Sequence, residues 1–164
     1  MLELQIGEIA PDFVMPSIGP GIGEKTLSKA DFAGEPLVLY FYPRDATPGC
    51  TSEACDFRDN FAQFNKLGAK VLGVSKDNIV SHDKFIKKHE LNFPLAYDKD
   101  GQACEAYGTW VEKSMYGRKY MGIDRATFLI DAKGRIAGIW RKVKVGGHVA
   151  ELANAIKALD KAAA

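Results

Sequence analysis

A continuous apolar run at residues 36–42, with the sequence PLVLYFY, constrains the fold more than any other feature of the chain. The run is rich in aromatic and branched side chains, and its length suits a strand that is buried on both faces. A second run of this kind, AKVLGVS, occupies residues 69–75. Because helices cover both faces of sheets built from such strands, the two runs predict an α/β domain.

The rest of the chain supplies the other elements of that domain. Residues 1–36 are rich in proline and glycine and predict short extended pieces and turns, with a short helix at 26–32. Apolar residues recur at three- and four-residue steps after residue 53, and Gly68 is a natural helix stop. In chain order, the later segments predict a helix from about Cys50 to residue 67, helices at 78–90, 101–108 and 148–161, an extended piece at 93–98, and a hairpin of 126–131 with 135–140. This order predicts one domain over residues 1–164, with a central mixed sheet flanked by helices.

Composition excludes several classes of function. The formal net charge of +1 gives no reason to expect binding to nucleic acid or to an anionic membrane. No apolar run approaches the roughly 20 residues that span a bilayer, and the start of the chain lacks the pattern of a signal peptide. Three cysteines are few and odd in number, which favours a reducing, cytoplasmic setting. No long apolar stripe demands a partner, so we expect a monomer.

Two of the cysteines, Cys50 and Cys55, lie five residues apart where a loop is predicted to become a helix. Their Cys-x4-Cys spacing is poor for zinc, and the third cysteine, Cys104, and the histidines at 82, 89 and 148 add no ligand pattern. An iron–sulfur cluster normally needs four cysteines. We therefore expect no metal and no organic cofactor.

Helix geometry also disfavours a permanent disulfide between Cys50 and Cys55. Five helical residues rise about 7.5 Å and turn through about 140°, which places the two Cα atoms about 8.6 Å apart. A disulfide tolerates roughly 7 Å at most. The pair therefore either never bridges, or bridges only after the first turns of the helix unwind.

The position of Cys50 favours a reactive thiol over a core residue. Pro48 and Gly49 precede it, so it should lie at the start of the helix, where backbone N–H groups favour the thiolate. Thr47 either caps this helix or hydrogen-bonds the substrate or the thiolate. Glu53 fits a capping box, but its charge opposes a thiolate, so the site also needs a positive group, and arginine is the expected type.

These residues carry a resemblance to a known family. The pattern Pro43-x-x-x-Thr47-x-x-Cys50 resembles the active-site signature of peroxiredoxins, thiol peroxidases with a thioredoxin-like fold. The stretch TPGCTSEACDFRD resembles the Q-type, or bacterioferritin-comigratory-protein, class, which carries a second cysteine five residues after the first. The segments GEIAPDF, GVSKD, FPLAYD and YGRKYMGIDRATFLID also follow in family order. The resemblance implies the peroxiredoxin variant of the thioredoxin-like fold.

The resemblance implies a role for each site residue. Cys50 resembles the peroxidatic cysteine that attacks the peroxide, and Cys55 resembles the resolving cysteine. Thr47 resembles the residue whose hydroxyl contacts the peroxide and the thiolate, and Pro43 the residue that shields the thiolate from water.

Two further positions complete the implied site. Arg125, just before ATFLID, resembles the active-site arginine, and Glu53 matches the position that holds this arginine by an ion pair. The chain departs from the class at Ala46, where a polar residue is common, and at Cys104. For Cys104 the simplest interpretation is packing, because buried cysteine behaves as a small apolar residue.

The resulting functional prediction is a thiol-dependent peroxidase for H2O2 and organic hydroperoxides. It would act through a Cys50 sulfenic acid and a Cys50–Cys55 disulfide, and thioredoxin or a similar dithiol would recycle it. One alternative is a thioredoxin-fold disulfide reductase, although these usually use Cys-x-x-Cys. The other is a redox-regulated binding module, in which residues 111–124 would form a partner surface instead of lining the mouth of the active site.

Overall fold

The computed structural model describes residues 3–163. Within this range the chain forms nine strands, five α-helices and a 3-10 turn at Lys29–Phe32. The strands are β1 (Val14–Gly19), β2 (Gly23–Ser28), β3 (Leu37–Phe41), β4 (Lys70–Ser75), β5 (Leu95–Tyr97), β6 (Trp110–Met115), β7 (Arg118–Ile123), β8 (Ala126–Ile130) and β9 (Ile136–Arg141). The helices are α1 (Pro48–Asp59), α2 (Phe61–Lys66), α3 (Ile79–His89), α4 (Gln102–Ala106) and α5 (His148–Ala163).

Seven strands form one mixed sheet in the order β2-β1-β5-β4-β3-β8-β9. Strand β4 runs parallel to both β3 and β5, while β8 pairs with β3 in the antiparallel direction and β9 with β8 likewise. The predicted α/β class, with a central mixed sheet and flanking helices, is confirmed, as is the hairpin that forms β8 and β9. No helix among the described residues is both long and apolar enough to cross a membrane.

Strand β3 is buried on both faces, as its apolar sequence predicts. Its alternate side chains enter two different hydrophobic clusters, because successive residues of a strand point to opposite faces. Val38, Tyr40 and Tyr42 pack in the cluster that includes residues of α1, α2, α3 and α5. Leu37, Leu39 and Phe41 pack in the cluster beneath α4 and the N-terminal segment.

The predicted start of the helix near Cys50 is confirmed, but its predicted continuity to residue 67 is wrong. The first helix begins at Pro48, and a break at Asn60 separates α1 from α2. Asn60 has a backbone ψ of 8°, and its side-chain amide donates to the carbonyl of Asp56 at 2.8 Å. Asparagine competes with helical hydrogen bonds in this way, which explains the break. The stop is as predicted, since Gly68 adopts a φ of +77° after α2.

Two hairpins are absent from the sequence-based predictions. Strands β1 and β2 form the first, and β1 joins the sheet beside β5, a long-range pairing with no local signal. Strands β6 and β7 form the second as a separate two-stranded sheet, which turns at Tyr116 and Gly117, both with positive φ. Most β6 and β7 side chains are exposed or half-buried, so neither strand shows the apolar pattern of a core strand.

Candidate active site

Cys50 is the third residue of α1, directly after the loop that follows the central strand β3. Thr47 takes the N-cap position in an extended conformation, and Pro48 is the first helical residue, where its missing N–H costs nothing. The ring of Phe57 stacks on Tyr40 of β3, with centroids 4.5 Å apart, and so holds α1 against the sheet. Cys50 consequently lies at the inner side of the helix start and is only 2% exposed.

Arg125 reaches the same point from a distant part of the chain. It precedes β8, and the first residue of β8, Ala126, pairs with Phe41 at the end of β3. This register brings Arg125 beside the start of α1. Its Nη2 donates to the sulfur of Cys50 at 3.3 Å, and its Nη1 donates to Oε1 of Glu53 at 2.6 Å. One planar guanidinium therefore contacts both the thiol and the carboxylate.

The pair of Arg125 and Glu53 is largely removed from water. The Arg125 side chain is 16% exposed and that of Glu53 is 1% exposed. Burial raises the pKa of Glu53 to about 7, although the charge and hydrogen bond of Arg125 act in the opposite direction. Burial also opposes the charge of Arg125, but the nearby Glu53 and Cys50 outweigh it and raise the pKa of Arg125. The guanidinium thus stays positive next to the sulfur.

The helix cap that Thr47 and Glu53 fit in sequence does not form. All of α1 lies within the described residues, and no side chain caps its first turn. The Thr47 hydroxyl instead donates to the carbonyl of Arg44 at 2.8 Å, which closes the loop before the helix. Pro43 is half-buried in the same loop. Residues Pro43 and Thr47 thus border the helix start from the loop side, while Arg125 and Glu53 border it from the protein interior.

The three cysteines, all within the described residues, are free thiols. Cys55 lies on α1, about 1.4 turns after Cys50, and is half-buried. Cys104 is fully buried in α4. Burial raises the pKa of the Cys104 thiol, and the hydrogen bond and charge of Asp98 raise it further. Cys104 is therefore a packed core residue with little tendency to ionise.

The β6–β7 hairpin brings a further cation to this region. The side chain of Lys113 on β6 lies across Gly122 of β7, where a Cβ atom would stand 3.3 Å from Cδ of the lysine. Partial burial lowers the pKa of Lys113, and the charge of Arg125 acts in the same direction. The charge of Asp124, which is the larger influence, and the charge of Cys50 act in the opposite direction and raise this pKa. Lys113 belongs to the segment 111–124, which is expected from the sequence at the mouth of the active site, but the sequence singles out neither this residue nor the hairpin that carries it.

A buried thiol at a helix start that accepts a hydrogen bond from a charged arginine has two features that favour its thiolate, the N–H groups of the helix start and the guanidinium. On a mixed α/β sheet, at the end of a central strand, this arrangement defines a cysteine-dependent oxidoreductase of the thiol peroxidase class.

Comparison with known proteins agrees with that class. The model of the AhpC/TSA family matches residues 6–139. A Coxiella burnetii protein named as a peroxiredoxin is 50% identical over 151 residues, which cover 92% of this chain and 97% of the relative. Peroxiredoxin Bcp of Bacillus subtilis is 45% identical over 160 residues, which cover 98% of this chain and 99% of the relative.

A solved structure of the Xanthomonas campestris bacterioferritin comigratory protein superposes with a TM-score of 0.82 and 42% identity. The match covers 94% of this chain and 96% of that one. The chain therefore belongs to the AhpC/TSA family, and within it to the Q-type peroxiredoxins, which are thiol-dependent peroxidases. The predicted family, thioredoxin-like fold and enzyme class are confirmed.

Proposed function

We propose that Cys50 is the peroxidatic cysteine and Cys55 the resolving cysteine of this enzyme. The observation that carries the proposal is the 3.3 Å contact from Arg125 to the sulfur of Cys50 at the start of α1. Of the three thiols, Cys50 alone among the described residues has this guanidinium contact. Cys104, by contrast, lies beside Asp98, and burial together with the hydrogen bond and charge of Asp98 raises the pKa of its thiol.

In the first step, the Cys50 thiolate attacks the terminal oxygen of the hydroperoxide. An S–O bond forms as the O–O bond breaks, so the sulfur is oxidised to a sulfenic acid and the peroxide is reduced. The leaving oxygen takes a proton and departs as water or an alcohol. Arg125 and the N–H groups of the helix start stabilise the charge that develops on the breaking bond. Thr47 positions the peroxide from the loop side, and Pro43 limits the access of water.

The second step requires α1 to change shape. In a regular helix the Cα atoms of Cys50 and Cys55 are about 8.6 Å apart, beyond the reach of a disulfide. The first turns of α1 therefore unwind, and the Cys55 thiol displaces water from the Cys50 sulfenic acid to form a disulfide. A dithiol such as thioredoxin then reduces this disulfide, restores both thiols and becomes oxidised itself.

We extend the proposal to the setting of the enzyme. The Xanthomonas campestris relative is described in connection with alkyl peroxide reduction, which supports organic hydroperoxides as substrates here beside H2O2. The few free cysteines fit a reducing, cytoplasmic compartment. We propose a monomer in which residues 1–164 act as one domain without a metal or organic cofactor.

The test is peroxide turnover with a thioredoxin system, for the wild type and two single variants. Cys50→Ser should abolish turnover. Cys55→Ser should consume about one equivalent of peroxide and then stop, with Cys50 open to over-oxidation to the sulfinic acid. Mass mapping of the wild type after one equivalent of peroxide should give a Cys50–Cys55 link. Full turnover by Cys50→Ser would refute the central role, and a Cys50–Cys104 link would reassign the resolving cysteine.

A further inference from the structure

A buried polar cluster lies behind the active-site loop and takes no part in the chemistry described above. Its central members are Asp45 in the loop, Asp77 after β4 and His82 on α3. One ligand-type atom from each of the three lies within 4.8 Å of the others. The His82 side chain is fully buried and that of Asp45 is 3% exposed, so their polar atoms depend on one another for hydrogen bonds.

Asp45 is the hub of this cluster. Its Oδ1 accepts a hydrogen bond from the hydroxyl of Tyr42 at 2.6 Å. Its Oδ2 accepts from the hydroxyl of Ser81 at 2.8 Å and lies 2.8 Å from Nδ1 of His82. Its backbone N–H donates to Oδ2 of Asp77 at 2.8 Å. The loop is thus tied to β4 and α3 through a single residue.

His82 extends the tie to the sheet. Its Nε2 lies 3.0 Å from the carbonyl oxygen of Ala96 on β5, which can only accept. Its Nδ1 faces the carboxylate of Asp45, which also accepts. Both ring nitrogens of His82 thus have a polar partner, and the hydroxyl of Tyr42 lies a further 3.4 Å from Nδ1. Removing either partner would leave a buried polar group without a hydrogen bond, which is costly.

The loop needs an anchor because of its own backbone. Ala46 has a φ of +62°, a left-handed conformation that an alanine side chain disfavours. Ala46 is exposed, so its own contacts do little to hold it there. The neighbouring Arg44 carbonyl accepts the Thr47 hydroxyl, so the conformation of this loop decides where that hydroxyl lies. Strained backbone persists only where its surroundings enforce it.

We propose that Asp45 and His82 are positioning residues for peroxide reduction. Their buried 2.8 Å contact fixes the loop between β3 and α1 and thereby aligns Thr47 with the thiol of Cys50. The same pair keeps the loop anchored to α3 and β5 while α1 unwinds and refolds. This inference rests on the proposed roles of Cys50 and Thr47.

The test compares two reactions of the reduced full-length protein. One is the single-turnover rate constant with a hydroperoxide, followed by tryptophan fluorescence. The other is the rate of alkylation of Cys50 by iodoacetamide, measured by peptide mass spectrometry. Alkylation requires the Cys50 thiolate but does not require the Thr47 hydroxyl to be aligned with it. His82→Gln and Asp45→Asn should each lower the peroxide rate constant about 10- to 100-fold, the scale expected for a misplaced reacting group. The alkylation rate should change less than about threefold, because the helix start and Arg125 remain.

A rescue separates positioning from general loss of stability. Asparagine tolerates the left-handed conformation better than alanine, so Ala46→Asn should restore part of the peroxide rate in the His82→Gln background. His89→Gln, on the same helix but outside the cluster, is the matched control and should leave both rates unchanged. Should His82→Gln fail to fold, Ser81→Ala removes one bond to Asp45 and should lower the peroxide rate about threefold.

Three outcomes would overturn the inference. The first is that a folded His82→Gln or Ser81→Ala protein reduces peroxide at the wild-type rate. The second is that the rates of peroxide reduction and of Cys50 alkylation fall by the same factor. The third is that Ala46→Asn restores none of the peroxide rate in the His82→Gln background. If the proposed role of Cys50 were wrong, the peroxide assay would give a different result, because the Cys50→Ser variant would still reduce peroxide.

Discussion

Nη2 of Arg125 lies 3.3 Å from the sulfur of Cys50, although the two residues are 75 positions apart in the chain. The contact exists because β8 pairs with β3, so that the residue before β8 meets the helix that follows β3. The second guanidinium nitrogen is held by Glu53, one turn after Cys50 on the same helix. Unwinding of α1 would therefore release the sulfur and the carboxylate from the arginine together.

Replacing Arg125 with lysine should impair catalysis while keeping the charge. A lysine offers one compact ammonium and cannot contact both Glu53 and Cys50 in the fixed geometry of a guanidinium. We expect kcat/KM for peroxide to fall about 100-fold, the scale for losing one donor to a developing charge. Initial rates of peroxide consumption measure this. Arg118→Lys, at an exposed hairpin position, is the control, and wild-type kinetics for Arg125→Lys would contradict the role.

Gly49→Ala should separate stability from activity. A Cβ at this position would stand 3.1 Å from Nη2 of Arg125, so the guanidinium must shift by a few tenths of an ångström. Alanine also favours the helix over glycine by up to about 1 kcal/mol. We expect an unchanged or higher Tm together with a kcat/KM lowered about tenfold. Gly146→Ala, where nothing lies near the added Cβ, is the matched control. An unaltered kcat/KM for Gly49→Ala would show that the position of Arg125 is not critical.

Glu53 should make the stability depend on pH. Burial raises its pKa from 4.5 to about 7, so between these values the folded state binds more protons than the unfolded state. The contribution of Glu53 to the free energy of unfolding is fully present below pH 4.5 and is lost as the pH rises through about 7. The loss is roughly 3 kcal/mol at most, at 1.36 kcal/mol per pKa unit.

The Glu53→Gln variant has no carboxyl that titrates at this position, so a comparison with the wild type isolates the pH dependence that Glu53 contributes. Urea unfolding of both proteins should show the wild type losing stability relative to the variant as the pH rises from 4.5 to 8. A difference in the free energy of unfolding that does not vary with pH would contradict the raised pKa of Glu53.

Cys104 should be inert in the folded protein. Burial and Asp98 raise the pKa of its thiol, and its side chain is inaccessible. We expect a maleimide to label Cys104 only in urea, and Cys104→Ser to keep peroxide turnover within about twofold of the wild type, since substitutions away from the site act mainly on stability. Labelling of Cys104 without denaturant, at the rate of Cys55, would contradict this.

The loop and helix around Cys50 were predictable because their signals are local. Pro48 and Gly49 mark a helix start, and the apolar run before them marks a central strand, so the position of the thiol follows from neighbours in sequence. The break at Asn60 was not predicted, because the apolar spacing continues across it while one side chain competes for a backbone carbonyl. The β6–β7 hairpin that carries Lys113 was not predicted, because it is mostly exposed and lacks an apolar pattern.

By itself, the sequence determined the class of the fold, the position of a thiol at the helix start and the family resemblance, because apolar periodicity and helix-start residues act over a few positions. Only the tertiary structure decided what surrounds that thiol. The contact of Arg125 with Cys50 depends on the pairing of β8 with β3, and the Asp45–His82 pair depends on α3 packing behind the loop. Such contacts join residues tens of positions apart, and their geometry is set by how the sheet and helices pack as a whole.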